Sequence, residues 1–513
     1  MSTAEEIDTE IKKTEAEISV TNQKRIEINT KLQQLNARLD KLQKQYSSLK
    51  SKEVSKIDWA SNTYEWQSKI QDILEKKFKL KKFRHQQLSA INAVLSGKDI
   101  ILLMPTGGGK SLCYQLPALF SKGITLVVSP LLSLIDDQIM ALRKLEIEAI
   151  TLNSRNSKTE SKKVFEALKT GTSPLKLIYV TPEWMAKSKL FMSYLQKCYD
   201  RKGLDRIAID EVHCCSQWGH DFRPDYKFLG ILKNIFPNTA LMGLTATATE
   251  NIICDAQHML DIEGCLVLRA SYNRPNLYYE VRQKPSSQEQ CFYLLENLLT
   301  RRYKDQSGII YTTTINDCSE ITKYLRGRGL RIACYHANMA TEVRQTIHRK
   351  WLSEYYQAVV ATVAFGMGID KPNVRFVIHH CLSKSVENFY QESGRAGRDD
   401  ERADCILLYS LKDVFRISSM VSTTASGTEN LYKLVEYCLD LSKCRRSLIA
   451  SHFDETWTSA DCNNMCDHCK NTSSYDTIDI TKHFKDLVTI IEYAEKSETR
   501  LTASVHQNSQ NRL

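Results

Sequence analysis

Apolar residues in the first 50 positions recur at alternating intervals of three and four, which is the spacing of a coiled-coil seam. No proline or glycine interrupts this stretch, so the pattern predicts one continuous helix over residues 1–50. The narrow seam has two candidate partners, a second copy of the chain or the body of the protein. It consists of Ile7, Ile11, Ile18, Ile28, Leu32, Leu35, Leu39, Leu42, Tyr46 and Leu49, with polar residues at seam positions 14, 21 and 25.

A different pattern follows a short polar linker at residues 51–62. Apolar runs of five or six residues alternate with longer segments of helical character, and the runs lack polar–apolar alternation. Such runs are typical of parallel strands that helices cover on both faces. They occupy residues 99–104, 124–129, 175–180, 206–210 and 240–245, and then residues 307–312, 331–336, 357–362, 375–380 and 404–409.

These runs predict an α/β protein with two tandem parallel-sheet domains, over residues 63–275 and 276–417. A small helical, cysteine-rich module is expected at 418–479. Residues 480–513 form a separate end segment, whose last dozen residues are polar and patternless. The 513 residues carry 70 Lys and Arg against 60 Asp and Glu, an excess of +10 that suits a polyanionic partner. No apolar run approaches the ~18 residues of a membrane-spanning helix, and the acidic start lacks a secretory signal. We therefore expect an intracellular protein without a membrane segment.

A glycine-rich loop, PTGGGKS, stands between the first apolar run and a helical segment. Glycines 107–109 let backbone N–H groups converge on a phosphate at the positive end of the following helix. Lys110 can then reach the terminal phosphates, and the Ser111 hydroxyl can ligate Mg²⁺. The loop therefore predicts a site for a nucleoside triphosphate.

Acidic and basic motifs further along complete this chemistry. The run RIAID ends in DEVH, where Asp210 can hold the magnesium ion and Glu211 can orient or deprotonate the attacking water. The second α/β domain contains QESGRAGRDD, whose Arg395 and Arg398 can neutralise charge on the γ-phosphate across a cleft between the domains. Together these motifs predict hydrolysis of the triphosphate.

Four cysteines occur in the spacing C-x17-C-x3-C-x2-C. Four thiolates form a closed tetrahedral zinc site, which is structural rather than catalytic. His452 and His468 are alternative ligands, and four free thiols are a further alternative. The adjoining KCRR, residues 443–446, is expected to direct basic side chains toward nucleic acid. The cysteines are Cys444, Cys462, Cys466 and Cys469.

Five motifs follow one another in the order found in superfamily-two helicases: PTGGGKS, DEVH, LTATAT, ATVAFGMGID and QESGRAGRD. They resemble the RecQ family of DNA helicases, nearest to its eukaryotic type-one branch, and CCSQWGHDFRPDY resembles the aromatic-rich loop of that family. The resemblance covers roughly residues 63–475. It implies two RecA-like domains, the cofactors ATP, Mg²⁺ and zinc, and 3′ to 5′ movement on single-stranded and forked DNA. It also implies a nuclear protein of DNA repair and recombination.

The resemblance assigns roles to further residues. FRHQQ is similar to the adenine-reading motif of the family, with Gln87 expected on the adenine edge and Arg84 near the phosphates. His85 stands where the family usually has proline. With the glycine loop and Gln391, the resemblance then implies this nucleotide site: Arg84, Gln87, Thr106, Gly107, Gly108, Gly109, Lys110, Ser111, Asp210, Glu211, Gln391, Arg395 and Arg398.

Candidate contacts with DNA lie after several of the predicted strands. The aromatic-rich loop would couple DNA contact to hydrolysis, although Trp218 could instead belong to the core. Hydroxyl groups elsewhere can hold phosphates without regard to base sequence. The candidates are Ser133, Thr181, Gln217, Trp218, Phe222, Arg223 and Thr362.

The end of the chain and the choice of function leave alternatives. Residues 480–496 resemble the first helix of the family's winged-helix domain, and there the resemblance stops. We therefore expect a shortened chain that hydrolyses ATP but unwinds duplexes weakly or not at all. The basic run at 76–84 could also serve nuclear import. An RNA helicase or remodeller, and a self-assembling regulator without motor activity, are the alternative functions. ATP turnover with DNA, RNA or neither separates them.

Overall fold

The computed structural model describes residues 3–61, 63–153, 156–171, 174–216, 222–366, 369, 371–424, 426–471 and 478–496. The chain divides into two compact units, Met1–Lys470 and Asn471–Leu513. In the smaller unit, helix Thr481–Lys496 is described, where the sequence predicts the start of a winged helix. Among the helices in the described ranges, none has both the length and the apolar character needed to cross a membrane.

A helix of 52 residues, α1 (Ala4–Ser55), begins the larger unit. It confirms the predicted N-terminal helix and continues past the expected end at residue 50. The apolar seam residues of α1 are between 48% and 67% exposed, so the body of this chain does not cover them.

The first sheet has seven parallel strands in the order β3-β4-β2-β5-β6-β1-β7. Alternate residues of β1 enter opposite cores: Ile100 and Leu102 pack in one cluster, and Ile101 and Leu103 pack in the other. Burial on both faces explains why the predicted runs lack alternation. We call this sheet with its helices lobe one. Its strands are β1 (Ile100–Leu103), β2 (Ile124–Val128), β3 (Ala149–Leu152), β4 (Leu177–Val180), β5 (Leu204–Asp210), β6 (Ala240–Thr245) and β7 (Leu266–Arg269).

The second sheet has six parallel strands in the order β10-β11-β9-β12-β13-β8. With its helices it forms lobe two. The helical segment at 411–470 that follows contains the four clustered cysteines of the predicted zinc site, and we call it the zinc module. The ten predicted strands are all present. The strands of lobe two are β8 (Leu277–Gln283), β9 (Ser307–Tyr311), β10 (Ile332–Tyr335), β11 (Ala358–Ala361), β12 (Val374–His379) and β13 (Ala403–Tyr409).

Three strands have no counterpart in the sequence prediction, namely β3, β7 and β8. Each lies at the edge of its sheet, and each leaves some residues partly exposed. An edge strand needs fewer apolar residues than a central one, so its run of apolar residues is too short to stand out.

Helices cover both sheets and form the zinc module. The remaining helices are α2 (Gln67–Lys76), α3 (Gln87–Leu95), α4 (Leu112–Phe120), α5 (Leu132–Lys144), α6 (Lys158–Thr170), α7 (Pro182–Lys187), α8 (Lys189–Asp200), α9 (Ile231–Ile235), α10 (Glu250–Met259), α11 (Gln288–Asn297), α12 (Ile315–Gly327), α13 (Thr341–Leu352), α14 (Val386–Ser393), α15 (Leu411–Val421), α16 (Gly427–Leu439), α17 (Arg445–His452), α18 (Asp467–Lys470) and α19 (Thr481–Lys496). Short 3₁₀ segments cover Val212–Cys215, Pro224–Gly230 and Ser459–Cys462, and a π-helical turn covers Leu298–Arg302.

Candidate active site and zinc centre

A cavity of about 430 Å³ lies between lobe one and lobe two. The loops that follow strands β1 and β5 form one wall of it, at the end of the sheet where open α/β sheets bind ligands. The folded chain therefore brings together motifs that lie far apart in sequence. The predicted site residues that line the cavity are Arg84, Gln87, Thr106, Gly107, Gly109, Lys110, Ser111, Asp210 and Glu211 from lobe one, and Gln391, Arg395 and Arg398 from lobe two.

Two side chains of the FRHQQ motif donate hydrogen bonds to carbonyl oxygens of the glycine loop. Gln87 donates from its amide nitrogen to the carbonyl oxygen of Gly109 at 3.0 Å, and Arg84 donates to that of Gly107 at 2.7 Å. Gly107 and Gly109 have φ values of +80° and +85°, a region that glycine adopts most readily. A Cβ atom on Gly109 would lie 2.4 Å from the Gln87 amide nitrogen. The loop therefore requires glycine both for its conformation and for the close approach of Gln87.

Lys110 lies in the same loop with its ammonium group turned toward the cavity wall. It donates to the carbonyl oxygen of Met104 at 3.1 Å. Burial lowers the pKa of Lys110, and the nearby carboxylates of Glu211 and Asp210 oppose that change. The predicted phosphate-binding cation is therefore close to the predicted hydrolytic acids.

The two acids stand where β5 ends and a 3₁₀ turn begins. Glu211 has φ +52°, in the left-handed region, and both acids line the cavity. Burial, followed by the charge of Glu211, raises the pKa of Asp210 to about 7. A bound cation would favour the charged form of Asp210, which makes this carboxylate a suitable ligand for Mg²⁺.

A buried histidine links the acids to the end of the neighbouring strand β6. One carboxylate oxygen of Glu211 is 3.3 Å from Nδ1 of His213, and that nitrogen is 2.9 Å from the hydroxyl of Thr245. His213 and Thr245 belong to the motifs DEVH and LTATAT, but the sequence prediction gave neither residue a role. Their position within these two motifs was the feature of the sequence that could have indicated a role in the site.

The arginine loop of lobe two approaches the glycine loop directly. The aliphatic part of Arg398 lies against Gly107, where an added Cβ atom would be 3.1 Å from Arg398 Cγ. Arg395 is 4% exposed and donates to the carbonyl oxygen of Gly366 within lobe two. Gly394 also permits close contact between the lobes, since a Cβ atom there would be 2.9 Å from Cβ of Thr106. Arg398 therefore reaches lobe one, and Arg395 lines the cavity while bonded to its own lobe.

The hydroxyl candidates for DNA contact occupy three different environments. Ser133 is exposed in the first turn of α5. Thr181 is 8% exposed, and its hydroxyl accepts a hydrogen bond from the Trp184 backbone at 3.4 Å, capping α7. Thr362 is partly buried just after β11. Ser133 is the most accessible of the three, whereas the hydroxyl of Thr181 already caps a helix.

The aromatic-rich loop is described only at its ends. Gln217 and Trp218 lie outside the described residues. Arg223 donates to the carbonyl oxygen of Pro130 at 2.9 Å, which connects the loop to the segment before α5. The centroid of the Phe222 ring lies 5.8 Å from the Lys227 ammonium nitrogen. The described end of this loop is thus joined to the segment that carries Ser133.

The four cysteines of the zinc module meet at one point. Their sulfur atoms all lie within 4.8 Å of one another, with Cys462 and Cys466 3.7 Å apart. Four sulfurs around zinc at about 2.3 Å are separated by roughly 3.8 Å, so this set fits a tetrahedral zinc ion. His468 instead bonds the Lys443 carbonyl, and His452 bonds Glu387. The structure therefore favours four cysteine ligands over either histidine.

Comparison with known proteins identifies the chain. Three family models match consecutive parts of it: the DEAD/DEAH box helicase over residues 84–253, the helicase conserved C-terminal domain over 290–400, and RecQ zinc-binding over 411–470. The ATP-dependent DNA helicase Q1 of Pongo abelii is 56% identical over 444 residues, which span 86% of this chain and 68% of the relative. The chain belongs to the RecQ family of ATP-dependent DNA helicases. The Q1 helicase of Rattus norvegicus is also 56% identical, over 88% of this chain and 72% of the relative.

Solved structures support the fold of this RecQ helicase. The crystal structure of the helicase MrfA bound to DNA matches with a TM-score of 0.56 at 20% identity, over 72% of this chain and 56% of that one. The DEAD-box helicase Mss116 bound to single-stranded RNA matches with a TM-score of 0.53 at 16% identity, over 67% of this chain and 73% of that one. At these identities the likeness concerns the architecture alone.

The basic pair of the KCRR motif is buried in the RecQ zinc module, which corrects the expectation that it faces nucleic acid. Arg445 and Arg446 are 2% and 4% exposed. Arg445 bonds both carboxylate oxygens of Asp467, and Arg446 bonds the linker between the lobes. Their charges are therefore used inside the protein.

Arg274 is a further residue of the site that the sequence prediction missed. It stands between β7 and β8, in the segment that joins the two lobes, and is 8% exposed. Its guanidinium donates to the Thr106 carbonyl of the glycine loop at 2.7 Å and to the Gly397 carbonyl of the arginine loop at 2.8 Å. No sequence motif pointed to it, because its acceptors are backbone groups that only the fold brings near.

Proposed function

We propose that this RecQ helicase uses ATP hydrolysis to move 3′ to 5′ along single-stranded DNA, including the single strands of forked DNA. The observation that carries the proposal is the shared cavity, whose lining comes from both lobes. A triphosphate bound there would contact both lobes at once, so its hydrolysis and release would change how the lobes meet. Strand contacts on the two lobes would then move relative to each other, which is directed stepping.

In the proposed reaction the two lobes have different tasks. The glycine loop and Lys110 hold the phosphates, and Ser111 and Asp210 supply the oxygen ligands that Mg²⁺ prefers. When bound, Mg²⁺ would neutralise charge on the phosphates. Glu211 orients the attacking water. From lobe two, Gln391, Arg395 and Arg398 line the opposite wall, and the arginines stabilise the charge of the transition state.

Contacts with the strand are proposed at the hydroxyl and aromatic candidates. Ser133 and Thr362 follow strands of lobe one and lobe two respectively, where they can bind phosphates without reading bases. Gln217, Trp218, Phe222 and Arg223 are proposed to couple DNA contact to hydrolysis, since the loop follows Glu211 directly in the chain.

The exposed seam of α1 supports a further proposal, self-association through this helix. A seam of ten apolar or aromatic residues at heptad spacing can be buried by a second copy of the same helix. The polar residues at seam positions 14, 21 and 25 would make the first half of such a coiled coil weaker than the second half.

Membership of the RecQ family supports the proposal of a nuclear protein that acts in DNA repair and recombination. The proposal concerns the compartment and the process in which the helicase acts, and not its reaction. Fluorescence microscopy of the tagged chain, with DNA damage as the stimulus, would test it. Exclusion of the full chain from nuclei under both conditions would refute it.

The central experiment measures ATP turnover with single-stranded DNA, with single-stranded RNA of the same sequence, and without nucleic acid. We expect stimulation by DNA in particular. Lys110→Ala is the control, and it should abolish turnover while leaving DNA binding intact because the ammonium serves the nucleotide. Stimulation by RNA alone would favour an RNA motor, and turnover indifferent to both would refute coupling to a nucleic acid. Displacement of oligonucleotides from partial duplexes with a 3′ or a 5′ single-stranded tail tests the polarity.

A further inference from the structure

One guanidinium group joins two loops that line the cavity between the lobes, which we propose binds ATP and call the ATP cleft. Arg274 donates through Nη1 to the carbonyl oxygens of Thr106 at 2.7 Å and Gly394 at 3.3 Å. Through Nη2 it donates to the carbonyl oxygens of Ala396 at 3.2 Å and Gly397 at 2.8 Å. The first acceptor belongs to lobe one and the other three to lobe two. The planar, rigid fork of arginine therefore sets how far apart the two loops lie.

The same guanidinium touches the site where the lobes meet. A Cβ atom on Gly107 would lie 3.5 Å from Nη1 of Arg274 and 3.1 Å from Cγ of Arg398. Gly107, Arg274 and Arg398 are thus packed together at the edge of the cavity. A displacement of Arg274 would move the arginine loop relative to the phosphate-binding loop.

The backbone of Arg274 is in turn held by the zinc module. Arg446 donates to the carbonyl oxygens of Arg274 at 2.8 Å and Pro275 at 3.2 Å, and also bonds the Asn273 side chain and the Leu277 carbonyl. Three of these acceptors belong to the linker between the lobes, and the fourth, Leu277, is the first residue of β8. Arg446 stands in the first turn of α17, which follows the zinc-ligand candidate Cys444 directly.

An aromatic contact fixes the same linker from a second side. The rings of Tyr272 and Phe453 stack with centroids 4.3 Å apart, and Glu455 accepts from the Tyr272 backbone at 2.8 Å. Tyr390 of α14 donates its hydroxyl to the Tyr272 carbonyl at 2.8 Å. The linker is therefore clamped between the zinc module and the helix that carries Gln391.

We propose that Arg274 is a positioning residue for ATP hydrolysis, and that Arg446 holds it in place from the zinc module. Arg274 sets Arg398 against the glycine loop when the lobes meet, so that the transition state is completed from lobe two. The zinc module thereby acts on the ATP cleft through the linker, although it contributes no side chain to the cavity lining described above. This inference rests on the proposed ATPase function.

The test compares Arg274→Ala and Arg274→Lys in the full chain, with the exposed Arg301→Ala of lobe two as the matched control. Steady-state turnover with single-stranded DNA gives kcat and KM, and a fluorescent nucleotide gives the affinities for ADP and for ADP with aluminium fluoride, which mimics the transition state. We expect kcat of Arg274→Ala to fall about 100-fold, the cost of a misplaced catalytic group. The affinity for ADP with aluminium fluoride should fall with kcat, whereas the affinity for ADP alone should stay unchanged.

Arg274→Lys should recover part of the lost rate, because an ammonium group can still bind one of the two loops. A merely structural role would lower ADP affinity, thermal stability and kcat together, without rescue by lysine, and would overturn the inference. Wild-type kcat in Arg274→Ala would also overturn it. Absence of ATP turnover in the wild-type chain would instead refute the proposed function itself, so the two failures are distinguishable.

The contribution of the zinc module is tested with neighbouring arginines. Arg446→Lys loses the fork that grips the linker, and Arg445→Lys alters the same helix but leaves the linker contacts intact. We expect Arg446→Lys to weaken binding of ADP with aluminium fluoride and to lower kcat, with zinc content unchanged by atomic emission. Equal losses in both variants would indicate general loosening of the module and would overturn the route through Arg446.

Discussion

At the scale of single residues, backbone carbonyls hold the cations of the ATP cleft in place. Lys110 bonds the Met104 carbonyl, Arg84 bonds the Gly107 carbonyl, and Arg274 bonds carbonyls on both lobes. The direction of a backbone carbonyl depends on the φ and ψ angles of its residue, and the glycines set these angles in the loop. A substitution at a glycine is therefore expected to displace the bound cations, and a substitution of a cation is expected to disturb the loop.

The first prediction concerns Gly109→Ala. Both the φ value of +85° and the 2.4 Å approach to Gln87 oppose a methyl group at this position, so nucleotide binding should be lost. Gly97→Ala is the control, because Gly97 has a similar φ of +74° but no atom within 4 Å of an added Cβ. It should cost about 1 kcal/mol of stability and leave nucleotide affinity intact. Titration with a fluorescent nucleotide checks both, and equal affinities for the two variants would contradict the close fit of the loop.

A second prediction follows from the buried His380 of lobe two. Burial, together with the nearby cations Lys284 and Arg416, lowers the pKa of His380 from 6.5 to about 3, against an opposing effect of Asp317. Below pH 6.5 the unfolded chain therefore takes up a proton at this residue that the folded chain does not, so acid favours unfolding.

His380→Gln removes this titration. Between about pH 7.5 and about pH 5.5, the wild-type free energy of unfolding should fall by about 1 kcal/mol more than that of the variant. Urea unfolding at the two pH values measures the difference, and the other histidines cancel in the comparison. Parallel losses in the two proteins would show that His380 is protonated in the folded state as easily as in the unfolded one.

At the scale of elements, α1 and the zinc module each have a feature that a partner outside the single chain could stabilise. The seam of α1 is exposed along the single chain and can be covered by another copy. The zinc module instead gathers four cysteines from three short segments around one point. The zinc module is expected to depend on a metal ion, and we propose that a second copy of the helix serves as the partner of α1.

The third prediction tests the seam of α1. Leu35→Asp combined with Leu39→Asp places two charges on the seam and should shift the chain toward monomers in sedimentation velocity. The control pair, Gln33→Asp with Ala37→Asp, adds the same charge away from the seam and should leave the association unchanged. If wild-type protein and both variants sediment alike as monomers, the seam does not mediate self-association.

The fourth prediction concerns zinc. Cys466→Ser removes one ligand from the cluster, so the zinc content measured by atomic emission should fall from one per chain to nearly none. The thermal midpoint should fall with it, because metal binding stabilises such modules. Cys438→Ser is the control, since Cys438 is a buried cysteine of α16 outside the cluster, and this variant should keep its zinc. Zinc retained at wild-type level by Cys466→Ser would contradict the four-cysteine site.

At the scale of the whole molecule, the ATP cleft exists only where two lobes meet. Neither lobe alone contains both the glycine loop and the arginine loop, and the linker between them is fastened to the zinc module. The arrangement separates two properties. We expect binding of a nucleoside diphosphate to depend on lobe one, and hydrolysis to depend on how lobe two approaches it.

The fifth prediction tests this separation with Arg398→Ala. Its kcat should fall by about 1,000-fold, the usual contribution of an arginine that stabilises a transferring phosphoryl group. Affinity for ADP should remain, because lobe one holds the diphosphate. Single-turnover hydrolysis and ADP titration provide the two measurements. A variant that kept wild-type kcat would show that the contact between Arg398 and the glycine loop has no role in the reaction.

The sequence by itself determined the α/β class, ten of the strands, the long N-terminal helix and the motifs of the ATP cleft. These features are local, because hydrophobic periodicity, glycine loops and cysteine spacing can be read within a few residues. The edge strands β3, β7 and β8 escaped prediction, since their partial exposure leaves only a weak apolar pattern.

Only the tertiary structure decided which charged residues are buried and what they bind. Arg274, Arg445 and Arg446 look like surface residues in the sequence, yet each is almost fully covered and bonded to groups that folding brings near. Their acceptors are mostly backbone carbonyls. Every residue carries one, so the sequence does not show which carbonyl an arginine will bind. The same holds for the choice of cysteines over His452 and His468, because each histidine found another partner in the fold.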